Sequence, residues 1–391
     1  MQPGVTAPRQ ELFIECGPGE ARAALVEGGV LRDLLILRRT DGPRYAELYR
    51  GRISHIEHGI DAAFVEIGSG LPGFLPLSGP SRRLAEGAPI AVSIEAESAG
   101  GKGPRVAVVD AADANPPHTR ESEVAAVLRA FDLRSFGRIV ADGPGCLARV
   151  RAVLRDIAPD AAERVEGHGG AVPAFEVHGI EELIERALAP TIELGSGLRL
   201  HFGTLEALSA VDVDAASFAP RQGGRAKALA ANLAVAGEIA RQIRLRNLSG
   251  LILVDFIRMK DTAERKQVSE AVSALAATDP VPCHVHGFTR AGLLELTRER
   301  RRRPVADVLM EPAQPRRKSA ETIARAALRE AMRSVPRGAP VLVASPDVIR
   351  WLETAGQGDL AECEGFLHSA LKLRADPALA RDKFEVRGER P

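Results

Sequence analysis

The segment ALSAVDVD sets two carboxylates two residues apart, at Asp212 and Asp214, and the apolar run LILVDFI carries a third at Asp255. Side chains two apart on a strand project to one face, so Asp212 and Asp214 stand side by side while Val211 and Val213 pack behind. Asp255 sits in a run that reads as a strand buried on both faces, where an unpaired charge is costly unless another charge or a metal matches it. If the two strands are neighbours, the three carboxylates converge. Hard oxygen donors of this kind suit Mg²⁺, or Mn²⁺ in its place, with several waters and phosphate oxygens completing the shell. Such an ion polarises a phosphodiester and lowers the pKa of a bound water, as a nuclease requires. The bland alternative is that the acids cap helices or pair with arginine, and spacing alone does not separate the two.

These residues need elements to hold them. Residues 226–248 read as a helix with Leu229, Leu233, Ala236, Ala240 and Ile243 on one stripe, and Gly250 stops it just before LILVDFI. A second helix from Ala263 to Ala277, the strand CHVHGF and a helix over LLELTRERRRR complete an α/β unit. Upstream, the helix IEELIERALA leads to a hairpin at IELGSGLRLHF. From Glu11 to Arg39 the chain reads as short strands separated by glycine turns. Tyr45 to Ala111 follows as closely spaced strands that fit an oligonucleotide-binding barrel. Past a polar link at 112–120, helical patterns flank the strand GRIVAD, and beyond EPAQPRRKS the chain ends in a small α+β region.

The bulk composition narrows the function classes. With 391 residues, 45% of them hydrophobic and 27% charged, the chain suits two to four packed units. The 52 basic and 52 acidic side chains cancel, so attraction to nucleic acid has to come from local clusters. Cys16, Cys146, Cys283 and Cys363 lie far apart, which argues against a disulfide framework or a thiolate zinc site and for buried, reduced thiols. No stretch approaches the roughly 20 apolar residues of a membrane helix, and no signal peptide is visible, so a cytoplasmic location without membrane contact is the expectation.

Several segments together resemble the ribonuclease E/G family in order and spacing. LYRGRISHIEHGIDAAFVEIGSGLPGFLPLS is similar to its S1 domain, AGGKGPR to the segment closing that domain, and FEVHGIEELIERAL to the helix before the catalytic unit. LEALSAVDVD is similar to the family's T-E-A-L-x-x-I-D-V-N, and GEIARQIRLRNLSGLILVDFIRM to its helix-strand signature. The resemblance places Asp212 and Asp255 at the two metal-binding aspartates, and Asp214 where the family has asparagine, adding negative charge beside the ion. It assigns Glu206 a structural contact rather than a catalytic role. Phe64, Phe74 and Lys102 match positions that stack on bases or touch the backbone, with barrel core as the alternative for the two rings. Arg290, Arg298 and Arg300 are candidate phosphate contacts, while Arg301 to Arg303 read as a solvated helix face.

The resemblance implies a ribonuclease H-like and DNase I-like core with an inserted S1 barrel. The expected divisions are 1–44 for the first core strands, 45–118 for the barrel, 119–175 for a degenerate 5′-sensor-like α/β subdomain, and 176–310 for the catalytic region. A degenerate zinc-link loop at 311–319 and a small α+β domain at 320–391 complete the chain. The family's zinc-sharing cysteines are missing from MEPAQPRRKS, so no zinc and a monomer, or a dimer joined by other surfaces, are expected. Where the family reads a 5′-monophosphate with an arginine-threonine pair, this chain has Ala141 and Asp142, and Pro282 stands for a third contact. An aspartate there repels phosphate. The implied activity is Mg²⁺-dependent endonucleolytic cleavage of single-stranded RNA, indifferent to the 5′ end. Its rivals are an RNA-binding relative that has lost turnover and a hydrolase of DNA.

Overall fold

The computed structural model describes residues 10–39, 42–78, 81, 84–98, 102–110, 122–205, 207–215, 224–311, 317–334 and 338–389. Along the chain, strands β1 (Gln10–Gly17), β2 (Glu20–Glu27) and β3 (Val30–Arg38) form an antiparallel meander. Then come β4 (Leu48–Glu57), β5 (Ala62–Glu66), β6 (Gly73–Pro76), β7 (Pro89–Ala96) and β8 (Arg105–Val108), which close into a barrel in the order β4-β5-β6-β8-β7. Alternation explains the closure: Ile53, Ala63, Val65, Leu75, Val92 and Val106 fill the interior, and their neighbours face outward. This closed barrel is consistent with the expected oligonucleotide-binding fold.

The chain returns through α1 (Glu123–Arg129), β9 (Arg138–Asp142), α2 (Gly143–Ile157), α3 (Pro159–Ala162) and β10 (Val165–His168). The stretch 119–175, expected as a subdomain of its own, instead adds its strands to the first sheet. β9 pairs in parallel with β1, and β10 with β9, giving the order β10-β9-β1-β2-β3. One face of this sheet is covered by α1 and α2 around Leu12, Ile14, Val127, Ile139 and Val150. The other is covered by α4 (Ala174–Val177), α5 (Ile180–Leu188) and α8 (Val305–Leu309), with Phe13, Phe175 and Ile184 in the seam. Being sandwiched, the first sheet buries apolar side chains on both faces, with Leu12 and Ile14 of β1 on one and Phe13 on the other.

The second sheet holds the aspartates. It comprises β11 (Thr191–Leu194), β12 (Leu198–Thr204), β13 (Leu208–Asp214), β14 (Gly250–Asp255), β15 (Cys283–Phe288) and β16 (Leu294–Arg298), in the order β11-β12-β13-β14-β16-β15. Helices α6 (Gly224–Leu245) and α7 (Thr262–Ala276) supply Val235, Ile239, Ile243, Val268 and Val272 to its core. The buried stripe of α6 is rotated from the expected one: Ala236 and Ile243 are inside, but Leu233 is 39% exposed. The region expected as a helix over LLELTRERRRR begins instead with strand β16, because Leu294, Leu296 and Arg298 are buried at a period of two. Last, α9 (Ala320–Ser334), β17 (Ala339–Ala344), α10 (Pro346–Glu353), α11 (Gln357–Leu367), β18 (Lys372–Ala375) and β19 (Phe384–Glu389) gather a separate core around Leu328, Leu342 and Leu352.

The cysteines correct an expectation. Cys283 and Cys363 carry free thiols, but Cys16 on β1 and Cys146 on α2 are disulfide-bonded, with their Cα atoms 5.1 Å apart. A separation of 130 residues hides this pair from the sequence, and it becomes adjacent only when α2 packs across β1.

Candidate active site and nucleic-acid interface

β13 and β14 run parallel in register, and Asp212 lies directly opposite Asp255 at the carboxyl ends of both strands. Strands this close put in-register side chains about 5 Å apart on one face. That face is open. Val211, Val213, Ile252 and Val254 turn into the helix-covered core, whereas Asp212 and Asp255 are both exposed. Asp255 was expected within a strand buried on both faces. β14 is instead covered on one, so this carboxylate is solvated, and burial is not what calls for a cation.

The row continues outward from the pair. His201 on β12 lies opposite Asp212, and Thr191 on β11 lies opposite His201, with 2.9 Å between Thr191 Oγ1 and His201 Nδ1. Asp214, one step further along β13, lies opposite Arg199, whose Nε is 3.7 Å from its carboxylate. The expected convergence of three acids is thus a pair, Asp212 with Asp255, and a third that faces an arginine. Among the described residues no group of three or more His, Cys, Asp or Glu side chains is placed to hold a metal. Two adjacent exposed carboxylates still suit a small hard cation that keeps most of its waters.

The chain leaving Asp255 is pinned from beneath. Asn232 of α6, fully buried, donates from Nδ2 to Ile257 O at 2.8 Å and accepts from Ile257 N–H at 3.0 Å. Arg265 of α7 donates to Met259 O at 2.9 and 3.1 Å, while Phe256 and Met259 are buried. This anchoring leaves Arg258 and Lys260 exposed beyond the carboxylate. Arg258, Lys260 and His201 were missed in the sequence, although the first two stand in DFIRMK directly after the aspartate.

The three candidate arginines part company. Arg290 is exposed in the turn between β15 and β16, at the sheet edge that also carries Asp255. Arg300 is exposed beyond the opposite end of β16. Arg298 is corrected outright: it is 2% exposed, and its guanidinium donates to Asp279, to Asn247 Oδ1 at 2.9 Å and to Leu248 O at 3.1 Å. It ties the end of β16 to the turn after α6 and has no surface to offer phosphate. Nor are its neighbours a solvated helix face. Arg301 donates to Tyr45 Oη and to Glu299, and Arg302 to Asp33. Arg303 N–H donates to Glu97 at 2.9 Å. They dock the barrel and the first sheet against the second.

On the barrel, Phe64 and Phe74 point away from the interior. They are direct cross-strand partners with ring centroids 6.0 Å apart, edge to face, and the His55 ring lies roughly parallel to Phe64 at 6.4 Å. Phe74 also lies opposite Arg105 of β8. Lys102 is exposed just before Gly103, where a side chain would collide with the Pro72 backbone, so the glycine sets the path that presents the lysine. His55 and Arg105 were not foreseen. Glu206 lies outside the described residues.

With an aspartate pair and an outward aromatic patch in one chain, comparison with known proteins becomes decisive. The profile of the Ribonuclease E/G family matches residues 111–301. Ribonuclease G of Salmonella typhimurium (strain SL1344) is 25% identical over 96% of this chain and 99% of its own length. These matches support the ribonuclease E/G family for this chain. Two further relatives cover less: ribonuclease E of Haemophilus influenzae, 26% identical over 72% of this chain and 40% of its own, and the Ribonuclease E/G-like chloroplastic protein of Arabidopsis thaliana, 36% identical over 50% and 20%.

Two segments where this chain departs from the family can now be placed. Ala141 is buried at the end of β9, and Asp142 accepts from Ala174 N–H at 3.1 Å and pairs with Arg333 of α9, so this carboxylate is tied into the scaffold. Pro282 is exposed beside β15. In the loop expected to replace the zinc link, Met310 bridges to Lys318, and Glu311 receives Arg317 and Arg381. No helix among the described residues is long and apolar enough to cross a membrane.

Proposed function

We propose that this ribonuclease E/G family member is an endoribonuclease that cleaves single-stranded RNA with a divalent ion held by Asp212 and Asp255. The observation that carries this reading is the in-register pairing of the two carboxylates on one open sheet face. Mg²⁺, or Mn²⁺, bound there would supply a Lewis acid for the phosphodiester and an activated water. The protein's own part is to orient. Asn232 and Arg265 hold the chain beyond Asp255, Arg199 offsets the charge of Asp214, and Arg290, Arg258 and Lys260 provide positive charge around the pair.

Substrate capture belongs to the barrel, where His55, Phe64 and Phe74 offer a stacking surface flanked by Arg105 and Lys102. Stacking tolerates any base, which fits an enzyme of RNA processing or decay. Ala141 and Asp142 stand where the family has its arginine-threonine pair, and Asp142 is tied to Arg333, which supports cleavage indifferent to the 5′ end. The ribonuclease H-like reading is supported by the order β10-β9-β1-β2-β3 in the first sheet. A cytoplasmic monomer, or a dimer joined without zinc, completes the proposal.

The test is a cleavage assay on one unstructured RNA with a 5′-monophosphate or a 5′-hydroxyl, beside DNA of the same sequence, with Mg²⁺ or with chelator. Equal cleavage of the two RNAs, sparing of DNA and silence in chelator are expected. Binding without products under all conditions would instead make the chain a passive RNA holder.

A further inference from the structure

A cavity of about 570 Å³ lies at the carboxyl ends of the parallel trio β1, β9 and β10, closed on its far side by α9 and α11. The Cys16–Cys146 pair forms part of its wall, together with Glu15, Gly145, Arg333 and Phe366. Cys16 is only partly buried, and Cys146 is the fourth residue of the 15-residue helix α2. That helix has no side-chain cap, because Asp142 turns to Ala174 N–H and Arg333 instead. A second feature points to a ligand. Glu15 is 3% exposed, its Oε2 receives Arg22, and its Oε1 has no hydrogen-bond partner, with the Arg333 guanidinium 3.7 Å away. That oxygen is an acceptor in the cavity wall that no protein donor fills.

We infer that Cys16 and Cys146 are a thiol–disulfide exchange site, reached through this cavity by small amino thiols whose ammonium or amide N–H is received by Glu15. The incoming thiolate attacks Cys16 Sγ and forms a mixed disulfide, and the electron pair of the broken S–S bond leaves on Cys146. A thiolate in the first turn of α2 faces the positive end of the helix, which favours it as leaving group. A second thiolate then attacks the small thiol's sulfur, freeing Cys16 and releasing the symmetrical small disulfide. Two electrons pass from two small thiols to the protein pair, and water protonates the thiolates. The site is distinct from the aspartate pair and does not depend on the cleavage proposal.

Whole protein purified without reductant, then denatured and alkylated, is expected to label at two of its four cysteines, Cys283 and Cys363. Treatment of the folded protein with cysteamine should raise this to four. Each rate is divided by that thiol's rate on a small reference disulfide. Cysteamine should then outpace mercaptopropionate by about tenfold, the worth of one charge-assisted hydrogen bond. Glu15→Gln should bring that ratio close to one. Four labelled cysteines even after exposure to cystamine, or a bond that opens only in denaturant, would overturn the exchange site. Equal normalised rates in the parent would overturn the role of Glu15.

Discussion

At the residue scale, strand periodicity decides which side chains face the core and which face a substrate. The spacing in VDVD put Asp212 on one face with its valines behind, and register with β14 follows because Val211 and Val254 must share the core. Outward aromatics were legible only as alternatives, since Phe64 and Phe74 look like core until Ala63, Val65 and Leu75 are seen to fill the barrel. Replacing either phenylalanine by alanine is expected to weaken single-stranded RNA binding about 5- to 100-fold by fluorescence anisotropy, the range of one base stack. Asp214→Asn restores the family's residue. Because Asp214 is partly exposed and faces Arg199, the change should leave the cleavage rate within about fivefold of the parent. A far larger gain would mean that its charge suppresses the site.

At the element scale, what escaped the sequence was a matter of partners. LLELTRERRRR carries the leucines and charges of a surface helix, and only a neighbouring β14 makes a strand of its first half. Arg298 looked solvent-seeking because its acceptors, Asp279 and Asn247, are about 20 and 50 positions away in the chain. Its removal from the RNA-contact residues follows from that burial. Asn232 is the converse case, an unremarked amide in a helix that proves to hold the loop behind Asp255. Asn232→Ala should cost about 1–3 kcal/mol in chemical denaturation, since Ile257 would keep a backbone N–H and carbonyl without partners. Cleavage should fall further than this loss of folded protein explains. A stability loss with unchanged kcat would mean that the loop's position is irrelevant to the site.

Across the whole molecule, ion pairs join what the strands do not. Glu20 on β2 receives Arg38 of β3 and Arg329 of α9, so it ties the first sheet to the C-terminal core. Burial alone would raise its pKa, but the guanidinium groups of Arg329, Arg38 and Arg22 overrule this and hold it down at about 2. A carboxylate depressed in the folded state contributes stability above its unfolded value near 4.5, and loses it as pH falls toward 2. Thermal unfolding should therefore become easier between these limits. Glu20→Gln should flatten that part of the profile while being less stable at neutral pH. Such long-range pairs are not readable from composition, where the charges simply cancel to zero.

In the proposed mechanism the two in-register carboxylates drive cleavage rather than hold RNA. This is tested most directly by single-turnover cleavage of an unstructured RNA in Mg²⁺ by the parent, Asp212→Asn and Asp255→Asn, each at saturating enzyme. Each substitution is expected to lower the rate at least about a hundredfold, roughly 3 kcal/mol of barrier, with RNA affinity and melting temperature little changed. Cleavage by either variant at the parent's rate would contradict the mechanism.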